Sequence, residues 1–462
     1  LNGTRTKQQN EGKLMAKRII VIGANAAGVE AASAARKKDR TAEITLITQE
    51  KTAGYSRCGL PFVIGGQIPS FKDLIVYPPA YFQMLKLNLK AETKVTAVNT
   101  KEKTVTAVDK AGAAESLEYD SLVFATGADA FMPPIKGREK RGILSLRNLE
   151  DGEEILQAVQ NGAKSAVIMG AGLIGLETGV ALIERGLKVT IVEMLPQILP
   201  QMLDADMAKL VQEHLQAKGM SVLTEKRVEE FLGDDKVTAI VAGGEKIEAD
   251  LFISAFGVRA NTKLAAESGI PLGETRAIKT NGRMETDVKD VYAVGDCAEA
   301  PNILTHKPTC AQLGTIAVRQ GKVAGTNAGG GYALFSGVLA SAVTRLFDTE
   351  AGVTGLTEKA AQRAGIEVVT GAISSKTKAD YYPNALPIKV KLVVEKESQR
   401  IIGAQIIGGE EVTQRINAIS FGIQKGMTVR DLAKADTAYA PPLCETWEPM
   451  VLAAEMVLMK LR

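Results

Sequence analysis

Histidine is scarce: His214 and His306 are the only two in 462 residues. A histidine-centred triad or imidazole-built metal centre therefore has little to draw on. Cysteine is sparse too. Cys58, Cys297, Cys310 and Cys444 lie far apart, and no Cys-x-x-Cys pair occurs. That pattern argues against zinc, an iron–sulfur cluster or a disulfide framework, so no metal is expected and a reducing, cytoplasmic setting is. No apolar run reaches the roughly 18 residues that a membrane-spanning helix needs. Excess charge is missing as well: 56 basic against 53 acidic residues leave a net +3, which makes no nucleic-acid-binding surface. What is present is a chain long enough for about three domains, 45% apolar and 24% charged, as folded cores require. Residues 1–14 are polar and lack the apolar stretch of a secretory signal. Met15 looks like a natural start, so 1–15 reads as a tag or disordered extension.

Two stretches follow the same plan. Arg18-Ile-Ile-Val-Ile-Gly23 is a short apolar run ending in glycine, followed by Ala-Asn25-Ala-Ala-Gly28 and an Ala-rich helical run. Strand, glycine turn and helix start form a dinucleotide site, because glycines let the backbone approach a pyrophosphate at the helix N-terminus. Asn25 stands where the motif has its middle glycine. A second strand, Ile44–Ile47, leads to Glu50, an acid placed to bind a ribose hydroxyl. The second stretch, Ser165-Ala-Val-Ile-Met-Gly170-Ala-Gly172-Leu-Ile-Gly175, is a complete G-x-G-x-x-G, and Val189–Glu193 closes its unit. Glu193 at that strand end accepts from a free 2′-hydroxyl and repels a 2′-phosphate, which favours NADH over NADPH. Glu177, in the first turns of the following helix, reads either as facing the nicotinamide or as a solvated acid in the helix dipole. Two such units imply two nucleotides.

Further motifs occur in a set order. Ala125-Thr126-Gly127 ends a strand (Ser121–Phe124). Phe256-Gly257-Val258 follows the second unit. Gly295-Asp296-Cys297 ends another strand, and Leu313-Gly314-Thr315 opens a helix. Together with Gly54-Tyr-Ser-Arg57-Cys58-Gly-Leu-Pro61, they make the chain resemble the flavin-dependent pyridine nucleotide–disulfide oxidoreductases over nearly all of residues 16–462. The resemblance implies an α/β fold with two Rossmann-like domains, one for FAD and one for NAD, and a C-terminal α+β dimerisation domain. The expected division is 16–150 for the first part of the FAD domain, 151–280 for the NAD domain, 281–335 for the return to the FAD domain, and 336–462 for dimerisation. It also implies that Asp296 holds the ribityl and phosphate region, that Leu313, Gly314 and Thr315 lie under the isoalloxazine, that Gly257 marks the hinge, and that Val95 meets the adenine through its backbone.

The large branches of this family carry a second cysteine five residues after the first, where Val63 stands here. The chain is thus similar to the single-cysteine branch: NADH oxidases and peroxidases, and reductases of coenzyme A disulfides, persulfides or polysulfides. Oxidases and peroxidases usually have a histidine in the first glycine turn; Ala26 and Ala27 stand there. Tyr439-Ala-Pro-Pro resembles the coenzyme A disulfide reductases, in which tyrosines of the partner subunit lie over the active cysteine. Tyr381-Tyr382 resembles the site of the second such tyrosine, and which of the two matches stays open. The reading that follows is an NADH-to-FAD-to-Cys58 path ending on a small sulfur acceptor such as a coenzyme A derivative, in a homodimer. Two alternatives stay open. One is an NADH oxidase, and the other an NADH–FAD electron-transfer subunit serving a ferredoxin-like protein within a larger redox complex. Arg57 is expected to favour the Cys58 thiolate or to bind flavin phosphate, the start of the next helix to add a favourable dipole, and Cys444 to be a buried core thiol or to approach Cys58 across the dimer.

Overall fold

Ile19–Ile22 is apolar on both faces, as a central parallel strand must be. It takes that place in the computed structural model, which describes residues 16–462; the extension expected over 1–15 lies outside the described residues. In chain order the first segment holds β1 (Arg18–Ile22), α1 (Ala26–Lys38), β2 (Glu43–Ile47), α2 (Leu60–Gly65), α3 (Pro79–Met84), β3 (Leu87–Lys90), an antiparallel sheet of β4 (Thr93–Asn99), β5 (Thr104–Asp109) and β6 (Ala114–Glu118), then β7 (Ser121–Phe124) and β8 (Ala128–Ala130). The second segment holds β9 (Ile143–Leu144), α4 (Leu149–Gln160), β10 (Ser165–Met169), α5 (Leu173–Glu184), β11 (Lys188–Val192), α6 (Ala205–Ala217), β12 (Ser221–Leu223), the sheet β13 (Val228–Leu232), β14 (Ala239–Ala242) and β15 (Glu245–Glu248), then β16 (Leu251–Ser254) and β17 (Val258–Ala260). The chain then returns through α7 (Lys263–Glu267), β18 (Val291–Ala293), the short pair β19 (Ala300–Pro301) and β20 (Pro308–Thr309), and α8 (Gly314–Ala328).

Two parallel five-stranded sheets result, in the orders β18-β7-β1-β2-β3 and β12-β11-β10-β16-β9. β8 and β17 pair antiparallel, Ala128 with Ala260, and form the ribbon between them. Sheet membership moves both expected crossings upstream. β9 pairs with β16 and so belongs to the second unit before residue 151. Ala265, Ile270 and Ile278 pack in the first unit's core before residue 281. Both stretches are short or irregular, and pairing with distant strands assigns them.

α8 lies along α1, and its glycines permit the approach. A Cβ at Gly321 would fall 2.4 Å from the Ala27 carbonyl oxygen, and one at Gly325 only 2.0 Å from that of Ala31. The third unit is an antiparallel sheet, β21 (Ala342–Leu346), β22 (Thr349–Gly355), β25 (Ile401–Gly408), β24 (Pro387–Glu395) and β23 (Val368–Lys376) in spatial order, with α9 (Glu358–Ala364), α10 (Val412–Gln424), α11 (Val429–Ala433) and α12 (Pro449–Lys460). α10 and α12 cover the sheet with Ile416, Ile419, Ala453 and Val457.

Candidate active site

Cys58 sits in a 3-10 turn, Arg57–Gly59, that runs into α2 with Pro61 in its first turn. The turn is held from behind: Ser56 N–H donates to the Leu74 carbonyl at 2.8 Å, while Leu60, Val63 and Ile64 are buried beneath it. The thiol itself is exposed. It is nevertheless pushed up from its ordinary value, first by the protein that displaces water around it, then by the charges of Glu177 and Asp296, with Arg147 acting the other way. The expected low-pKa thiolate is thus not supplied by the fold alone, and α2 has only six residues with which to build a dipole.

Arg57 is not the cation this thiol senses. Its guanidinium pairs with Glu50 and donates to the Arg147 carbonyl at 3.1 Å. Glu50 in turn accepts from the Tyr55 hydroxyl at 2.6 Å, so the expected ribose acid is engaged through both oxygens by its own loop. Arg147, absent from the residues singled out in the sequence, donates to the Ala128 carbonyl at 2.8 Å and pairs with Asp296 at 2.6 Å. It precedes the helix cap Asn148 in a stretch without motif character, and no signal in the sequence marks it.

The first glycine turn fits a nucleotide. Gly23 and Gly28 leave room for nothing else: a Cβ on Gly28 would lie 1.9 Å from the Gly23 carbonyl oxygen. α1 begins with no side chain capping it, and Asn25 Oδ1 is buried with no hydrogen-bond partner. An uncapped helix start offers N–H groups to a pyrophosphate, and an orphaned acceptor suits the hydroxyl of a ribose or ribityl chain. Ala125 N–H donates to the Ile22 carbonyl, the Thr126 hydroxyl to that of Asn261 at 2.7 Å, and Gly127 (φ +68°) turns the chain there. Gly295 N–H donates to Gln320 Oε1 at 2.8 Å, which fixes the Gly-Asp turn to α8. Space stands open above Gly127 and Gly314, and Thr315 is exposed at the α8 start behind Leu313. Val95 lies at an irregularity in the β4–β5 pairing.

The second turn repeats the pattern. A Cβ on Gly175 would lie 2.1 Å from the Gly170 carbonyl oxygen, Gly172 faces open space, and Gly257 (φ +102°) does too. Glu193 is buried at the end of β11, where its oxygens accept from Ala171 N at 2.9 Å and Leu195 N at 2.8 Å. Glu177 is half-buried rather than a solvated first-turn acid. Burial raises its carboxyl, against a hydrogen bond from the Thr344 hydroxyl at 2.7 Å.

Two of the C-terminal tyrosines meet in the structure. Tyr381 and Tyr439, 58 residues apart, meet hydroxyl to hydroxyl at 2.9 Å; Tyr382 is not part of the pair. Both are exposed. Cys444 is half-exposed, donating to the Ala438 carbonyl at 3.2 Å, and so is not the buried thiol expected. Cys310 donates to the Asp296 carbonyl at 3.4 Å, and burial pushes it up to about 12. No cluster of metal-ligating side chains occurs among the described residues, and no helix there is long and apolar enough to cross a membrane.

A family model described as pyridine nucleotide-disulphide oxidoreductase matches residues 17–321, and one described as the dimerisation domain of those proteins matches 341–451. An NADH oxidase of Methanocaldococcus jannaschii is 43% identical, over 96% of this chain and 99% of that protein. A CoA-dependent NAD(P)H sulfur oxidoreductase of Pyrococcus furiosus is 34% identical, over 96% and 99%. Among solved structures, an NAD-dependent persulfide reductase from A. fulgidus superposes with a TM-score of 0.93 at 40% identity, covering 96% of this chain and 83% of that one.

Proposed function

The chain belongs to the pyridine nucleotide-disulphide oxidoreductase family, and from that premise we propose that it uses FAD to carry electrons from NADH to Cys58, and from there to the S–S bond of a coenzyme A disulfide, persulfide or polysulfide. The observation that carries this reading is Cys58 itself. It is an exposed lone thiol with Val63 where a second cysteine would stand, and it feels the charges of Glu177 and of the paired Asp296 and Arg147. FAD, when bound, supplies the two-electron relay between nicotinamide and sulfur.

The residues divide the work. The α1 start with Gly23, Asn25 and Gly28 would hold the flavin pyrophosphate and its neighbouring hydroxyls, and Asp296 the ribityl region. The α5 start with Gly170, Gly172 and Gly175 would hold NADH, with the Glu193 carboxylate at the end of β11 disfavouring a 2′-phosphate. The Cys58 thiolate attacks the acceptor's S–S bond, forming a new S–S bond as the acceptor's other sulfur leaves. Two electrons and a proton then cleave that bond, release the second sulfur as a thiol and restore the thiolate. Tyr439 of the partner subunit, with Tyr381 of the partner subunit beside it, would hold or protonate the leaving sulfur across a homodimer interface.

A second reading, oxygen reduction, has the name of the Methanocaldococcus relative in its favour; Cys58 would then cycle through a sulfenate. Anaerobic NADH oxidation separates the two. Wild type and Cys58→Ser are each offered coenzyme A disulfide, polysulfide and a one-electron dye. The expected result is turnover of a sulfur acceptor by wild type and a loss of about a thousandfold in the variant. No sulfur turnover by wild type, or equal sulfur turnover by both, overturns the proposal.

A further inference from the structure

Tyr439 stands in a stretch with no helix or sheet to hold it. Residues 435–440 belong to neither. Pro441 and Pro442 follow at once, so the next two positions bring no N–H donor. An exposed segment without backbone hydrogen bonds opens readily. Yet the Tyr439 hydroxyl is placed closely enough to meet that of Tyr381 at 2.9 Å. The Cys444 thiol supplies the missing partners. Its S–H donates to the Ala438 carbonyl at 3.2 Å, and its sulfur accepts from the Ala440 N–H at 3.4 Å. Those two groups belong to the peptide units on either side of the Tyr439 Cα, so the thiol restrains both of that residue's backbone rotations. Neither group has another partner among the described hydrogen bonds. The turn that brings the thiol back is closed at the Ala440 carbonyl, which accepts from Leu443 N at 2.9 Å and Cys444 N at 3.1 Å.

The two tyrosine loops are rooted in one place, the start of α10. On the Tyr439 side, Glu448 is buried just before α12 and accepts from Arg415 Nε at 2.7 Å and Nη2 at 3.1 Å. Arg415 is buried on α10 and also reaches Glu411 at 3.4 Å. On the Tyr381 side, Glu410 accepts from the Thr377 hydroxyl at 3.1 Å and pairs with Lys378 at 2.8 Å. With both roots fixed there, the freedom left to the pair lies in the irregular stretch around Tyr439, where the thiol acts.

We propose that Cys444 is a positioning residue for the sulfur-acceptor reaction: its thiol clamps the two peptide units beside Tyr439 and so holds the Tyr439 hydroxyl on that of Tyr381. The inference rests on the reading above in which this tyrosine pair serves the leaving sulfur. Cys444 exchanges no electrons in this role, and a hydroxyl, which donates and accepts as the thiol does, can take its place.

The test labels the holoenzyme with 3-fluorotyrosine and follows its fluorine resonances against pH. Those of the pair are assigned through Tyr381→Phe and Tyr439→Phe. Hydroxyls that share a hydrogen bond titrate as a coupled pair, in two steps. Tyr381 is already raised, first by this bond, and Glu445 in the turn adds to it. Wild type and Cys444→Ser are expected to show two steps. Cys444→Ala, and Cys444→Val, which fills the space of the thiol without its hydrogen bonds, should each show two independent single titrations. Turnover on polysulfide should fall about tenfold in Cys444→Ala while dye turnover is unchanged. It should fall no further when Cys444→Ala is added to Tyr439→Phe. Two steps retained in Cys444→Ala and Cys444→Val overturn the clamp. So does an equal loss of turnover with and without Tyr439, which would make Cys444 a purely structural residue. If one of the two apolar variants fails to fold, the other decides. Tyr439→Phe that reduces polysulfide as wild type does, or wild type that reduces no sulfur acceptor, overturns the functional reading and the part of Cys444 in turnover with it. Coupled titration surviving in the apolar variants removes the clamp alone.

Discussion

Around Cys58, neighbours in sequence and neighbours in charge are different residues. Arg57 adjoins the thiol along the chain, but successive side chains in a 3-10 turn diverge by about a third of a turn, and this one is drawn to Glu50. Arg147 is remote in sequence and is the cation that lowers the thiol. Arg147→Met is therefore expected to raise the alkylation midpoint of Cys58 by about half to one unit, because the variant removes the cation and also leaves Asp296 unpaired. Arg147→Lys should recover part of the shift, and Arg57→Met should move the midpoint less than Arg147→Met does. A larger shift from Arg57→Met would return the role to the adjacent residue. The glycines were legible because a turn or an approaching backbone dictates residue type locally. Arg147 was not, since its role depends on Asp296, 149 residues away.

Between elements, a buried polar junction fixes the nucleotide unit of α5 and α6 to the C-terminal sheet. Asp204, at the start of α6, sends its carboxylate to the first N–H groups of α9, Glu358 at 3.1 Å and Lys359 at 3.3 Å, and accepts from Gln405 at 2.6 Å. Lys391 of β24, 4% exposed, reaches Asp204 at 3.1 Å and Asp206 at 2.9 Å. Burial alone would raise Asp204, but the Gln405 bond, the α9 N–H groups and Lys391 together hold it below its ordinary 3.8. Burial alone would lower Lys391, but Asp206 and Asp204 outweigh it and leave it raised. The signs follow. Asp204 contributes stability above pH 3.8, lost as pH falls through its lower folded value. The Lys391 contribution is whole at neutral pH and lost only as pH rises through its raised folded value. Lys391→Ala strands a buried carboxylate and is expected to cost about 3–5 kcal/mol, read by urea unfolding at fixed protein concentration. The gap between wild type and Asp204→Asn should narrow as pH drops below about 4; a constant gap would mean that the carboxylate charge is not what the junction uses. Nothing local announces this cluster. A lysine in an apolar strand and an acid at a helix start are ordinary alone, and they meet across about 200 residues of sequence.

For the whole molecule, the order of units was readable because each glycine turn needs its own strand and helix within some thirty residues. The crossings between units were displaced because β9 and the stretch around Ile270 take their identity from strands and cores elsewhere in the chain. The assembly is written on the surface of the C-terminal unit. Phe421 is 67% exposed, Leu443 59% and Trp447, the only tryptophan, 60%, and large apolar side chains left this exposed in a dimerisation domain fit a partner's surface. The Tyr381–Tyr439 pair lies exposed in the same unit, while the charges that Cys58 senses in its own chain are Glu177, Asp296 and Arg147. If the tyrosines act in trans, neither Cys58→Ser nor the double variant Tyr381→Phe, Tyr439→Phe turns over sulfur well alone. A two-fold dimer, however, places each site at a junction of both chains. Unfolding and refolding an equal mixture makes half the dimers hybrids, each with one complete site, so sulfur-acceptor turnover should recover to about a quarter of wild type. Tyrosines acting in cis leave every hybrid site damaged and recover nothing beyond the sum of the separate variants. Trp447→Lys, by separating the subunits, should abolish the recovery while leaving each monomer's two nucleotide turns in place.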